Sequence, residues 1–229
     1  MGRSTCRRLP LATCVALLAA CVRVAEPGDA EFAVRWDPAE GGPSTAAAVT
    51  RLLELRPGRE ESFEVRYYDA PTPASAPDSA RVILRERSRD GGKTELVVKY
   101  RRAAPVTGKW TCPLGQRADR TAQVDIGFGP GGSVSRMYSY SCEVSADSFP
   151  ASLHASPRAC SISIARVTTD HLKIETWPLP NGEQLLEVSR EARDSQSDLA
   201  GFEAIVNRLI AAGAHPIAES KTALAGTCR

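Results

Sequence analysis

Apolar and polar residues alternate along most of the chain beyond residue 30, as they do in strands that bury one face. Clusters of Gly, Pro, Asp and Ser separate these segments and are typical of turns. The strand-like segments are residues 32–36, 63–68, 81–87, 94–100, 122–127, 133–143, 159–168, 172–177 and 184–189. The pattern therefore predicts eight or nine strands.

Two further segments have apolar residues at helical spacing. In residues 43–55, the apolar residues at helical spacing come after Ser44 and Thr45, which are candidate caps. Residues 197–212 precede Gly213, a residue that commonly ends a helix. Many strands with two principal helices predict an α+β fold, mostly antiparallel β, in the form of one barrel or sandwich domain.

Composition fits a globular domain, with 229 residues of which 42% are hydrophobic and 24% charged. Lys and Arg number 29 against 27 Asp and Glu, and Arg3, Arg7 and Arg8 precede the segment that we expect to be removed. The rest is close to neutral. It offers no surplus of positive charge for binding nucleic acid, and we expect no nucleic-acid partner.

The first residues have the three parts of an export signal: residues 1–8 are basic, residues 9–20 are mostly apolar, and Cys21 follows. Leu-Ala-Ala-Cys resembles the bacterial lipobox, in which the Cys is lipidated. We expect a signal peptide over 1–20, a lipid anchor (palmitate included) and tether over 21–30, and one barrel domain over 31–229. Val22 after the anchor indicates the outer membrane, facing the periplasm. The alternative is an ordinary secretory signal cut nearby.

Four cysteines fall in the folded part, namely Cys112, Cys142, Cys160 and Cys228. An even number in an oxidising compartment predicts two disulfides, with three pairings open. We favour Cys142 with Cys160, which flank a predicted hairpin connection, and Cys112 with Cys228 by elimination. The three His residues lack metal-ligand spacing, so a zinc site is not expected.

Basic residues recur at strand spacing. Arg81, Arg85 and Arg87 share one face of a strand, and Lys99 and Arg101 share a face of the next. If these faces line a barrel, the cations share a cavity suited to a polyanion such as phosphate. In the alternative, they form a solvated outer face and the apolar residues between them form the core.

The order of elements around three sequences resembles the first half of the CYTH family, the triphosphate tunnel metalloenzymes. These sequences are Tyr67-Tyr68-Asp69-Ala70-Pro71, Val82-Ile83-Leu84-Arg85-Glu86-Arg87 and Thr94-Glu95-Leu96-Val97-Val98-Lys99. A weaker resemblance extends to residues 185–188 and 216–221. It implies a CYTH-like, eight-stranded antiparallel tunnel barrel that binds triphosphate compounds.

The resemblance also implies site residues. The phosphate ligands it implies are Arg35, Arg85, Arg87, Lys99 and Lys221. The ligands it implies for Mg or Mn are Glu31, Glu175 and Glu187. Where the family has Glu-x-Glu-x-Lys, this chain has Glu31-Phe32-Ala33-Val34-Arg35, so the middle carboxylate is missing. Catalytic residues are not assigned.

Three functions follow as hypotheses. The first is an envelope-anchored lipoprotein that binds a phosphorylated or other anionic ligand in the barrel. The second is a metal-dependent phosphohydrolase of tri- or polyphosphate, an activity that depends on the carboxylate set that Ala33 interrupts. The third is a non-catalytic scaffold for protein contacts.

Overall fold

The computed structural model describes residues 28–89, 92–106 and 110–225, and its centre is a closed barrel of nine strands. The order around the barrel is β1-β5-β6-β4-β3-β2-β7-β8-β9. The strands are β1 (Asp29–Trp36), β2 (Arg59–Asp69), β3 (Arg81–Arg89), β4 (Thr94–Arg102), β5 (Asp119–Phe128), β6 (Val134–Ser145), β7 (Ser156–Thr169), β8 (Leu172–Pro178) and β9 (Gln184–Arg193). Each strand-like segment of the sequence contributes one of these strands.

The barrel closes through β1, which pairs in parallel with β5 and antiparallel with β9. Every other neighbouring pair is antiparallel. The expectation of eight strands, which came from the resemblance, is wrong, because nine strands join one continuous ladder. The α+β architecture with antiparallel pairing dominant is confirmed.

Two principal helices pack on the outside, and both begin at a hydroxyl cap. In α1 (Ala46–Leu52) the side chain of Thr45 accepts a hydrogen bond from the Ala48 amide at 3.1 Å, and Ser195 caps α2 (Gln196–Ala211) in the same way. Gly213 follows α2 with φ of 93°, a conformation that glycine adopts without strain. A third helix, α3 (Lys221–Ala225), was not expected from the sequence.

The outer face of the barrel is buried over much of its surface. Phe32, Val34 and Trp36 of β1 pack with Phe202 and Val206 of α2. On the opposite side, Leu84, Val98 and Tyr100 pack under the loops of residues 70–80, 103–106 and 110–118. Because strand side chains alternate, burying these apolar rows outside turns the charged rows of β1, β3 and β4 toward the interior.

The disulfide pairing differs from the one that we favoured. Cys142 is bonded to Cys112, not to Cys160. The expected Cys142–Cys160 bridge is wrong because β6 and β7 are consecutive in sequence but are separated by β4, β3 and β2 around the barrel. Cys112 therefore does not pair with Cys228 either. Cys160 is also disulfide-bonded.

The predicted signal peptide, Cys21 and Cys228 lie outside the described residues. In the part of the chain that the structure describes, no helix has both the length and the apolar character needed to cross a bilayer.

Candidate functional site

A cavity of about 320 Å³ lies inside the barrel, at the lower end of the range for small-molecule sites. Inward-facing residues of all nine strands line it together with two residues of α3, Lys221 and Thr222. Eight of the described lining residues are cationic: Arg35, Arg85, Arg87, Lys99, Arg101, Arg166, Lys173 and Lys221. The charged strand faces predicted from the alternation thus line one interior cavity.

All five residues predicted to bind phosphate line this cavity, and the last of them, Lys221, enters it from α3. Of the carboxylates predicted to bind metal, Glu31 and Glu175 also line it. Glu187 is fully buried on the same inward face of β9 as Ser189, and it contacts the lining residues Arg35 and Lys221. The structure therefore brings every predicted ligand to the same site.

Glu175 and Glu187 form the most buried acidic pair of this site. They are register partners on β8 and β9, with 2% and 0% of their side chains exposed. The Lys221 ammonium lies between them, 2.6 Å from Oε2 of Glu175 and 2.6 Å from Oε1 of Glu187. A buried acidic pair of this kind is stable only when cations neutralise it.

Further donors complete the same cluster. The Nε atom of Arg166 donates to Glu175 at 2.7 Å and Trp177 donates its indole N–H at 3.0 Å, while Arg35 pairs with Glu187. Burial by itself would raise the pKa of Glu175, but Lys221 and Arg166 outweigh it and hold that pKa well below its usual range. Burial would lower the pKa of Lys221, but the two carboxylates raise it.

Asp125 organises a second charged cluster on β5. It pairs with Lys99 at 3.1 Å and with Nε of Arg101 at 2.7 Å, and it accepts a hydrogen bond from Gln123 at 2.9 Å. Burial opposes ionisation, but these cations lower the pKa of Asp125 to about 2. Burial also lowers the pKa of Lys99, an effect that Asp125 opposes only in part.

Glu31 connects the two clusters. One of its oxygens accepts a hydrogen bond from Gln123 at 3.2 Å. Burial would raise the pKa of the Glu31 carboxyl, but the charges of Lys99 and Lys221 outweigh that effect and lower it. Ala33, two residues along the same face of β1, is buried and opposes Ser189. A methyl group therefore occupies the position at which the family pattern has its middle carboxylate.

Arg85 differs from the other cations of the cavity. The Nε atom of Arg87 donates a hydrogen bond to Glu95 at 2.8 Å, and Lys173 forms an ion pair with Glu191. The Arg85 Nε atom is buried and has no hydrogen-bond partner, and among the described residues its guanidinium has no carboxylate partner. A buried donor without a partner is rare in folded proteins and calls for an explanation such as a bound ion.

Sequence reasoning missed several residues of the site, chiefly Arg166, Asp125 and Gln123. They lie on β5 and β7, in a part of the chain that has no counterpart in the resemblance. Alternation places Arg166 on the same face as Ile162 and Ile164. That signal was present, but it does not tell which face of a strand turns inward.

The predicted metal ligands do not fit a resident divalent cation in this arrangement. Both oxygens of Glu175 accept from Arg166, Lys221 and Trp177, and both oxygens of Glu187 are paired with cations. Across the described residues, no three His, Cys, Asp or Glu side chains are grouped as metal ligands. Hard cations need several free oxygen ligands, and this carboxylate set does not offer them.

No protein-family model and no curated protein matches this chain. Among solved structures, a Pyrococcus horikoshii protein aligns at 12% identity with a TM-score of 0.46, over 85% of this chain and 98% of its own. A conserved hypothetical protein of Pyrococcus furiosus aligns at 12% identity with a TM-score of 0.45, over 85% and 99%. A candidate adenylate cyclase of Vibrio parahaemolyticus aligns at 12% identity with a TM-score of 0.43, over 88% and 99%. We infer no function from likenesses at this level.

Proposed function

We propose that this chain is a divergent triphosphate-tunnel protein that binds a phosphorylated or otherwise anionic ligand inside its barrel. The observation that carries the proposal is Arg85, a cavity-lining guanidinium with a buried, unpartnered Nε atom among the described residues. A guanidinium presents forked N–H donors that match phosphate oxygens. A phosphate group in the cavity would satisfy these donors.

The charge distribution supports an anionic ligand. Seven carboxylates line the cavity or pair with its eight cations. Two of the seven, Glu143 and Glu191, are 40% and 65% exposed and are therefore largely solvated. The eight cations exceed the seven carboxylates by one, so the cavity carries a small surplus of positive charge, which an anion would offset.

Binding without turnover is favoured over hydrolysis by the engaged carboxylates. A metal-dependent hydrolase needs carboxylate oxygens that are free to hold Mg or Mn near the scissile phosphoryl group. Here Glu175 and Glu187 are neutralised by side chains of the protein, and Ala33 supplies no carboxylate. Hydrolysis of tri- or polyphosphate with bound Mg or Mn stays a prediction, as does the protein-contact scaffold.

We also propose that the barrel works in the bacterial cell envelope, attached to the membrane through lipidated Cys21. The basic start, the apolar run and the Leu-Ala-Ala-Cys sequence support this location. Nucleoside triphosphates are scarce outside the cytoplasm, so polyphosphate or an organic phosphate is the better candidate for the ligand of the barrel. Nucleic acid is not expected as a partner.

Calorimetric titration of the full chain with tripolyphosphate tests the proposal. We expect saturable binding at one site, with affinity that falls as salt concentration rises because the contacts are ionic. The absence of measurable heat at millimolar tripolyphosphate contradicts the binding proposal and leaves the scaffold. Rapid Mg-dependent release of phosphate by the same preparation supports the hydrolase instead.

A further inference from the structure

The Lys221 ammonium lies at a position where a cation bridges two carboxylates. Glu175 and Glu187 lie side by side on the neighbouring strands β8 and β9, and Lys221 Nζ is 2.6 Å from an oxygen of each. Two carboxylates that converge on a single cation are a common way for proteins to hold a divalent metal. In this chain the bridging cation is covalently part of the protein.

We propose that Lys221 is a built-in cation that takes the place of a divalent metal, so that the barrel binds its oligophosphate in metal-free form. The statement about the ligand rests on the function proposed above. The statement about Lys221 and the carboxylate pair does not, because it concerns only groups of the protein. The two parts are therefore tested by separate measurements.

The surroundings of Lys221 hold its ammonium in place. Leu224, on the same short helix, packs against the apolar cluster inside the barrel, and Lys221 Nζ lies 5.0 Å from the centre of the Trp177 ring. The Trp177 indole in turn donates to Glu175 at 3.0 Å. A cation fixed in this way needs no recruitment from solution, and the charge of the carboxylate pair is offset in the free protein.

Arg166 and Arg35 close the remaining access to the pair. Arg166 donates to the second oxygen of Glu175, and Arg35 pairs with the second oxygen of Glu187. Each of the four carboxylate oxygens thus contacts a cation, three of them through a hydrogen bond and Oε2 of Glu187 through an ion pair alone. Since a divalent ion would have to displace these donors, the unmodified chain should hold none at this position.

The ligand that fits such a site differs from the usual cellular form of a triphosphate. Magnesium bound to a triphosphate cancels part of its negative charge and occupies oxygens that a guanidinium would otherwise contact. Arg85, which has no carboxylate partner among the described residues, is best satisfied by a fully ionised phosphate group. Added magnesium should therefore weaken binding by withdrawing the free ligand.

Titration with Mn²⁺ alone, followed by electron paramagnetic resonance of the free ion, tests the role of Lys221 without any phosphate. Lys221→Met should bind Mn²⁺ at one site at least about tenfold more tightly than the unmodified chain, because the two carboxylate oxygens that Lys221 bridged are then without a cation. Lys221→Met combined with Glu187→Gln should lose that gain. Lys173→Met is the matched control: it removes a cavity lysine whose partner, Glu191, is exposed, so it should gain no site.

Two results overturn the role of Lys221: Mn²⁺ binding by the unmodified chain at a site that Glu187→Gln abolishes, or no Mn²⁺ binding by a folded Lys221→Met chain. If Lys221→Met does not fold, tripolyphosphate titrations of the unmodified chain in EDTA and in Mg²⁺ decide instead. Tighter binding in EDTA than in Mg²⁺ supports the proposal, and equal binding or a requirement for Mg²⁺ overturns it. No binding in either buffer contradicts the proposed function, while the Mn²⁺ results stand independently.

Discussion

At the scale of single residues, Arg85 is the side chain whose replacement should affect ligand binding most directly. Arg85→Ala should weaken tripolyphosphate binding by about tenfold to a hundredfold, since a hydrogen bond to a charged group contributes about 1.5 to 3 kcal/mol. The fold should be retained, because no carboxylate among the described residues depends on Arg85 for neutralisation. Calorimetric titration gives the affinity, and circular dichroism reports the fold.

Arg81→Ala is the control for this prediction. Arg81 precedes Arg85 on the same strand but is exposed and does not line the barrel cavity. Its removal changes the net charge by the same amount as Arg85→Ala does. Equal losses of affinity in the two variants would mean that tripolyphosphate binds to the surface field of the protein and not within the barrel.

The predicted site residues came from strand alternation and from the family resemblance, and together these identified only part of the site. Alternation placed Arg85 and Arg87 on one face, and the resemblance assigned that face to the interior. Neither source reached Asp125 or Arg166, because the partners of a buried charge are set by which strands become neighbours. Asp125 meets Lys99 only through the pairing of β5 with β6 and of β6 with β4.

At the scale of elements, the strands were readable from the sequence but their neighbours were not. Burial on one face imposes a period of two on each strand, so its position can be read locally. Which strands pair depends on closure of the whole sheet, and the assumption that β6 and β7 are adjacent led to the wrong disulfide. Helix α3 has five residues, too few to show a periodicity.

The Cys112–Cys142 bridge provides a prediction for the connection between β4 and β5, which it ties to β6. It closes a loop of 30 residues, so Cys112→Ser should lower the free energy of unfolding by roughly 2 to 4 kcal/mol. Denaturant titration under non-reducing conditions measures the change. In peptide mapping of the unreduced protein, we expect Cys112 joined to Cys142 and no free thiol at Cys160. A Cys142–Cys160 peptide would contradict the pairing.

At the scale of the whole molecule, the barrel should be carried by a lipid anchor. Cys21→Ala removes the residue that the Leu-Ala-Ala-Cys sequence presents for lipidation, so the variant should appear in the soluble fraction or keep its signal peptide. Fractionation of cells and the mass of the mature amino terminus measure both effects. Membrane association identical to that of the unmodified chain would refute the anchor.

The barrel holds ionised carboxylates in its interior, so it should also lose stability in acid. The pKa of Asp125 is about 2 in the folded chain against 3.8 for an unperturbed group, so its carboxylate stabilises the fold above about pH 4. That contribution, about 2 kcal/mol, is lost as the pH falls from about 4 to about 2.

Asp125→Asn should therefore be less stable by this amount at pH 7, and the difference should nearly vanish at pH 2. Urea titrations across this range measure it, with the exposed Asp147→Asn as a control that should change little at any pH. A constant difference between Asp125→Asn and the unmodified chain from pH 7 to pH 2 would show that the ion pairs with Lys99 and Arg101 do not stabilise the folded state.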